Sequence, residues 1–250
     1  MSRVTKTEDD NLIVGRNSVL ELLNSGRDVD RLLVEKGNRS GSRAPIIAKA
    51  NAKGVPVKET AGEKLNSICP GANHQGVVAY AAAHEYCLVE DIISYADERG
   101  EPAFVIVCDG IEDPYNLGAI IRTAECCGAH GIIIPKRRSV GLNYAVAKSA
   151  CGALEHMRVA RVPNITAALK ELKDYGVWIY GADMNGEPYD SVDFSGPAAL
   201  VVGGEGKGIS RLVGESCDVM LSLPMKGHIT SLNASVAAGV FMYEIIKFRN

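Results

Sequence analysis

The chain has 250 residues, enough for one large or two small domains with a substantial buried core. With 46% hydrophobic and 23% charged residues it reads as an ordinary globular protein. No run approaches the ~20 apolar residues of a membrane span, and Met1–Asp10 lacks a signal peptide's apolar core, so a cytoplasmic location is expected.

Residues 1–10 are polar and read as a flexible tail. Helical patterns over Asn17–Leu23 and Ala44–Lys53 alternate with strand patterns over Val29–Val34 and Gly76–Ala81. Residues 11–82 therefore form a small α/β domain. The formal net charge is -3, but its distribution is uneven: residues 1–80 hold 12 Lys/Arg against 9 Asp/Glu. Lys36–Lys58 contains Lys36, Arg39, Arg43, Lys49, Lys53 and Lys58 without one acid. A second basic cluster is Lys136-Arg137-Arg138. Each cluster alone reads as a solvated face; together, in an acidic protein, they fit a phosphate-facing surface equally well.

Residues 83–101 shift in composition and read as a linker with one short amphipathic turn of helix. From residue 102 to 250 a second alternation follows. Apolar runs at Phe104–Cys108, Gly131–Ile134, Val177–Tyr180, Ala199–Val202 and Met220–Leu223 have the character of buried parallel strands. Helical patterns lie between them at Leu117–Cys127, Ala145–Ala153 and Ile165–Tyr175, with a last one over Ala234–Phe248. This order predicts a mostly parallel sheet covered on both faces. Seven cysteines without a Cys-x-x-Cys pair, and isolated histidines, give no disulfide framework and no metal site.

Three polar stretches follow apolar strands. In Val202-Gly203-Gly204-Glu205-Gly206-Lys207-Gly208 the glycine spacing fails both the P-loop and the dinucleotide fingerprint. Glu205 would also repel a pyrophosphate, whereas a ligand with a positive centre would tolerate it. A glycine-rich turn without a ligand stays open on this stretch alone. In the first stretch, Asp109–Gly118, Asn116 has the placement of a helix N-cap, and Arg122 in the next turn lies among apolar residues and needs a partner. In the third, Leu223–Ser235, Ser231 or Asn233 has the placement of a cap for the last helix. Loops at the carboxyl ends of parallel strands are where α/β proteins bind ligands, so one composite site is expected.

These residues resemble a known family. Asn116-Leu117-Gly118-Ala119-Ile120-Ile121-Arg122-Thr123-Ala124 is similar to the first motif of the SpoU/TrmH RNA ribose 2′-O-methyltransferases, of the SPOUT or α/β-knot superfamily. Val202–Gly208 resembles the second motif, and Leu223-Pro224-Met225 with Ser231–Ala237 the third. Gly15-Arg16-Asn17-Ser18-Val19-Leu20-Glu21 resembles, more loosely, the opening of the family's N-terminal RNA-substrate domain, whose fold is like that of certain ribosomal proteins. The likeness is nearest to bacterial enzymes that methylate a guanosine ribose in 23S rRNA.

The resemblance implies S-adenosylmethionine as methyl donor, no metal, a homodimer formed through the knot domain, and a C-terminal trefoil knot. It implies a catalytic group of Asn116, Arg122, Glu205, Ser231 and Asn233. It also implies cofactor contacts at Gly203, Gly204, Leu223 and Leu232, while the basic N-terminal unit offers RNA contacts at Arg16, Lys36, Arg39 and Arg43. A tRNA-directed relative, or a non-catalytic RNA-binding protein, are the alternatives.

Overall fold

The computed structural model describes residues 11–25, 27–37, 43–82 and 84–249. The predicted tail, residues 1–10, and Arg39 lie outside the described residues. The chain divides into two compact units, Met1–Glu85 with Gly141–Ala145, and Tyr86–Val140 with Val146–Asn250. Among the described residues no helix is long and apolar enough to cross a membrane.

The first unit runs β1 (Leu12–Val14), α1 (Arg16–Asn24), β2 (Val29–Glu35), α2 (Ala44–Ala52), β3 (Val57–Thr60), α3 (Gly62–Ile68) and β4 (Val77–Ala81). Its sheet has the order β1-β4-β2-β3, with only β2 and β3 parallel. Strand alternation sorts the side chains between the two faces. Leu32, Val34, Val77, Ala79 and Ala81 pack with Val19 and Leu23 of α1 and Ile46 of α2, while Leu33 and Val78 pack with Leu65 of α3.

The second unit runs α4 (Val89–Arg99), β5 (Phe104–Asp109), α5 (Pro114–Cys126), β6 (Gly131–Pro135), α6 (Tyr144–Ser149), β7 (Arg158–Val162), α7 (Ile165–Asp174), β8 (Trp178–Pro188), β9 (Ala198–Gly203), α8 (Arg211–Gly214), β10 (Val219–Ser222) and α9 (Ala234–Ile246). All its strands are parallel, in the order β10-β8-β9-β5-β6-β7. This is the expected α/β architecture, a parallel sheet preceded by a small α/β unit. The chain moves outward from β5 to β7, then resumes on the other side of β5. The loops after β5 and β9 therefore meet at the point where strand order reverses. From the edge strand β10 the chain returns, and α9 packs on α5 and β9.

The stretch read as a linker contains α4. Ile92, Ile93 and Ala96 of this helix are buried in the core with Val105 and Ile133, and an acidic first turn and Gly100 at the left-handed C-cap delimit it. Its charged flanks are surface, and its apolar stripe belongs to the second unit.

Burial pushes the Cys108 thiol up to about 12 and those of Cys87, Cys127 and Cys217 to about 11. These four are protonated space-filling groups at neutral pH.

Candidate active site

Three chain segments meet at the carboxyl ends of β5, β9 and β10. The β5–β9 ladder sets Asp109 opposite Gly203 and carries the two loops side by side. Asp109 then fixes both ends of the glycine loop. Its carbonyl accepts from Gly204 N at 3.0 Å and its carboxylate Oδ2 accepts from Ser210 N at 2.7 Å. Neither Gly203 nor Gly204 has room for a side chain. A Cβ on Gly203 would lie 2.0 Å from the Gly208 carbonyl carbon, and one on Gly204 would lie 2.3 Å from the Gly110 carbonyl oxygen. The loop closes on itself through Gly208 N to Gly204 O at 3.0 Å, which exposes Glu205 at its tip.

The cap of α5 is Asp113, not Asn116: its side chain accepts from Tyr115 N at 3.1 Å, and Pro114 takes the first helical position, where its fixed φ and missing N–H fit. Asn116 lies one turn further in, buried, with its amide free for other partners. It donates from Nδ2 to Glu205 Oε1 at 3.0 Å. Asn233 is the N-cap of α9, its Oδ1 accepting from Ser235 N and Val236 N. Its Nδ2 donates to Asn116 Oδ1 at 2.9 Å and to Glu205 Oε1 at 2.8 Å. Asn116, Glu205 and Asn233, distant in sequence, form a closed triangle of hydrogen bonds.

Ser231 stands exposed two residues before Asn233, without a hydrogen bond among the described residues. Leu223 is half-buried and Leu232 exposed, both on the loop from β10 to α9. Arg122 departs from expectation. Leu117, Ile120, Ile121 and Ala124 take the buried face of α5, so Arg122 is exposed, and Nη1 donates to Cys151 Sγ at 3.6 Å. Among the described residues no carboxylate pairs with it, which leaves the guanidinium for a ligand.

The small unit's candidate cations divide. Lys36 is exposed. Arg16 begins α1 and its Nε donates to Gln75 Oε1 at 3.3 Å. Arg43 is paired: Nη2 lies 2.8 Å from Glu35 Oε2, and its side chain retains only 19% exposure. Lys36–Lys58 is acid-free in sequence, yet folding brings Glu35 to it.

Sequence reading missed Asp109. Its signal was present, an acid ending an apolar strand directly before a glycine. Among the described residues no group of three or more His, Cys, Asp or Glu is placed to hold a metal ion.

Comparison with known proteins puts a class to this arrangement. A profile described as the SpoU rRNA Methylase family matches residues 103–243, and one described as RNA 2′-O ribose methyltransferase substrate binding matches residues 12–87. The Bacillus subtilis protein YacO, assigned to the TrmH family of tRNA/rRNA methyltransferases, is 46% identical over 95% of this chain and 96% of its own length. An AdoMet-bound rRNA methyltransferase from Sinorhizobium meliloti shares the fold, with a TM-score of 0.60 and 24% identity over 94% of this chain and 86% of that one. A TrmH/SpoU tRNA modifying enzyme from A. aeolicus gives a TM-score of 0.54 and 26% identity over 59% of this chain and 76% of its own. These matches make the chain an RNA methyltransferase. The chain belongs to the SpoU rRNA Methylase family.

Proposed function

We propose that this protein transfers a methyl group from S-adenosylmethionine to a ribose 2′-hydroxyl of ribosomal RNA, with a guanosine of 23S rRNA as the target. The observation that carries the reading is the Asn116–Glu205–Asn233 triangle, built from the three loops that the family's motifs occupy.

The donor suits the residues present. Gly206 and Gly208 of the loop have open space where a Cβ would stand, so a ligand can approach the backbone there, Leu223 and Leu232 offer apolar contact, and Glu205 supplies a negative charge near a cation. When bound, S-adenosylmethionine supplies a methyl carbon activated by a sulfonium. The chain's own part is positioning, which contributes much of such a rate enhancement. Asn116 has one amide N–H left after its bond to Glu205 and directs it at the incoming hydroxyl. Ser231 is exposed beside Asn233 and orients the same group. Arg122 clamps the adjacent RNA phosphate, a task for a planar fork of donors. Arg16 and Lys36 of the small unit contribute phosphate contacts, and Arg43 does so only by leaving Glu35.

The extent of the fold match favours rRNA over tRNA. The rRNA enzyme from S. meliloti aligns with 94% of this chain, whereas the tRNA modifying enzyme from A. aeolicus aligns with 59%. Two copies associating through the second unit, in the cytoplasm, complete the proposal.

Incubation with methyl-labelled S-adenosylmethionine and either unmodified rRNA or tRNA, followed by mapping of the label, tests it. Label on a guanosine ribose of 23S rRNA is the expected result. Label on a base, or only on tRNA, overturns the chemistry or the substrate.

A further inference from the structure

The basic loop after β6 is not engaged by any contact described above. Lys136, Arg137 and Arg138 follow Pro135 directly, Lys148 lies on α6, and no acid occurs between Glu125 and Glu155. Among the described residues none of these four side chains forms an ion pair or a side-chain hydrogen bond. Cations without carboxylate partners are available to phosphate.

The loop is also tied to the site. Val140 N donates to Ile111 O at 3.0 Å and Ser139 Oγ donates to the same carbonyl at 3.0 Å. Ile111 belongs to the loop between Asp109 and α5, which leads to Asn116. At the other end Lys136 N donates to Val162 O at 2.8 Å, so the basic segment is held at both ends. Arg138 has φ +57°, in the left-handed region that a long side chain rarely adopts. Such a conformation persists only where the surroundings hold it, and it is found preferentially at working sites. On the far side of the loop, Gly118 packs so closely on α6 that a Cβ there would lie 2.4 Å from Ser149 Cβ, and Ser149 Oγ donates to Tyr115 O at 3.1 Å. That contact places Lys148, one residue away, beside the start of α5. β6 neighbours β5 in a parallel sheet, so the basic loop and the triangle share one end of the sheet.

We infer that Lys136, Arg137 and Arg138, with Lys148, form a phosphate-binding track for the RNA strand that carries the target ribose. The inference rests on the reading of the triangle as the methyl-transfer site, and adds where the substrate's backbone lies. Backbone contacts of this kind fix register and carry little sequence information. They make binding salt-dependent, because each neutralised phosphate releases counterions.

The test uses the full chain with Lys136→Gln, Arg137→Gln and Arg138→Gln combined, Arg137→Gln alone, and Lys170→Gln on the exposed face of α7 as control. Binding of an unmodified rRNA transcript is measured from low to high salt, and binding of S-adenosylmethionine separately by calorimetry. The combined variant should bind RNA at least ~10-fold more weakly, with a log–log salt slope shallower by about 2, from a slope of roughly 0.7 per single-strand phosphate contact. The single variant should lose about one third of that slope change, and neither should alter S-adenosylmethionine binding. Wild-type RNA affinity and slope in both variants would overturn the inference, as would an equal loss in the Lys170→Gln control. A wild-type chain that binds no S-adenosylmethionine would sink the functional reading instead, a distinct result.

Discussion

Asn233 divides its side chain between two tasks. Its oxygen caps α9 and its amide nitrogen ties Asn116 to Glu205, so that helix formation orients the site. The two tasks separate by substitution. Serine caps a helix about as well as asparagine, so Asn233→Ser should unfold within about 0.5 kcal/mol of wild type while losing both donors to the triangle. A loss of ~100-fold or more in kcat is expected, the scale seen when one positioned donor is removed from an active site. Near-normal turnover in a stable Asn233→Ser protein would remove the triangle from catalysis. The role of Asp109 separates by substitution too. Asp109→Ala frees Ser210 N, and amide hydrogen exchange at Ser210 should accelerate in the ligand-free chain, with weaker S-adenosylmethionine binding. Asp109→Asn keeps an acceptor oxygen and should restore most of both. Unchanged exchange at Ser210 in Asp109→Ala would show that the loop holds itself.

At the scale of elements, β5 and β6 are joined at their amino-terminal ends by a buried histidine. His130 Nδ1 accepts from Phe104 N at 2.9 Å, and Nε2 lies 3.1 Å from Glu101 Oε2. Burial lowers the imidazole pKa, and Glu101 opposes that shift only in part. A histidine pKa depressed on folding means that the unfolded chain takes up the proton more readily. The stabilisation is thus full above the unfolded value of ~6.5 and declines as pH falls below it towards the folded pKa. Melting temperature should drop as pH falls below about 6.5, and His130→Gln should flatten that part of the profile. An unchanged profile in the variant would assign the acid sensitivity to other groups. What the sequence discloses about such elements depends on contrast. Strands buried on both faces, such as β5, β6 and β9, are continuous apolar runs and are readable. β7 is not, because Arg158 and Arg161 interrupt it; in the fold Arg158 stacks 3.4 Å over Tyr95 and Arg161 5.2 Å over Tyr86, so the charged heads are accommodated at the sheet edge. β1 and β3 are too short to show a period, and α4 is hidden by its charged flanks. The site's three loops were legible from their residues, yet the cap at Asp113 and the pairing of Arg43 with Glu35 depend on which neighbours folding supplies.

For the whole molecule the open question is association, and α9 frames it. One face of this helix packs on α5, with Ala238, Phe241, Met242 and Ile245 buried. The opposite face leaves Val236 at 52%, Val240 at 39% and Tyr243 at 54% exposure, spaced i, i+4, i+7. Leu232 and Ile229 extend the apolar surface into the preceding loop. An apolar stripe left exposed on a helix whose other face is also apolar is the kind of surface that a partner covers, and a second copy would cover it symmetrically. The same helix begins at Asn233, so its docking would stiffen the loop that carries Ser231 and Leu232 as well as the triangle. Two results should therefore move together in Val240→Asp combined with Tyr243→Asp. Sedimentation should shift from twice the mass of one chain to a single chain, and S-adenosylmethionine binding should weaken by at least ~10-fold. A monomeric variant that binds and transfers methyl at the wild-type rate would show that association through α9 is not needed. A variant still dimeric would place the interface elsewhere on the second unit.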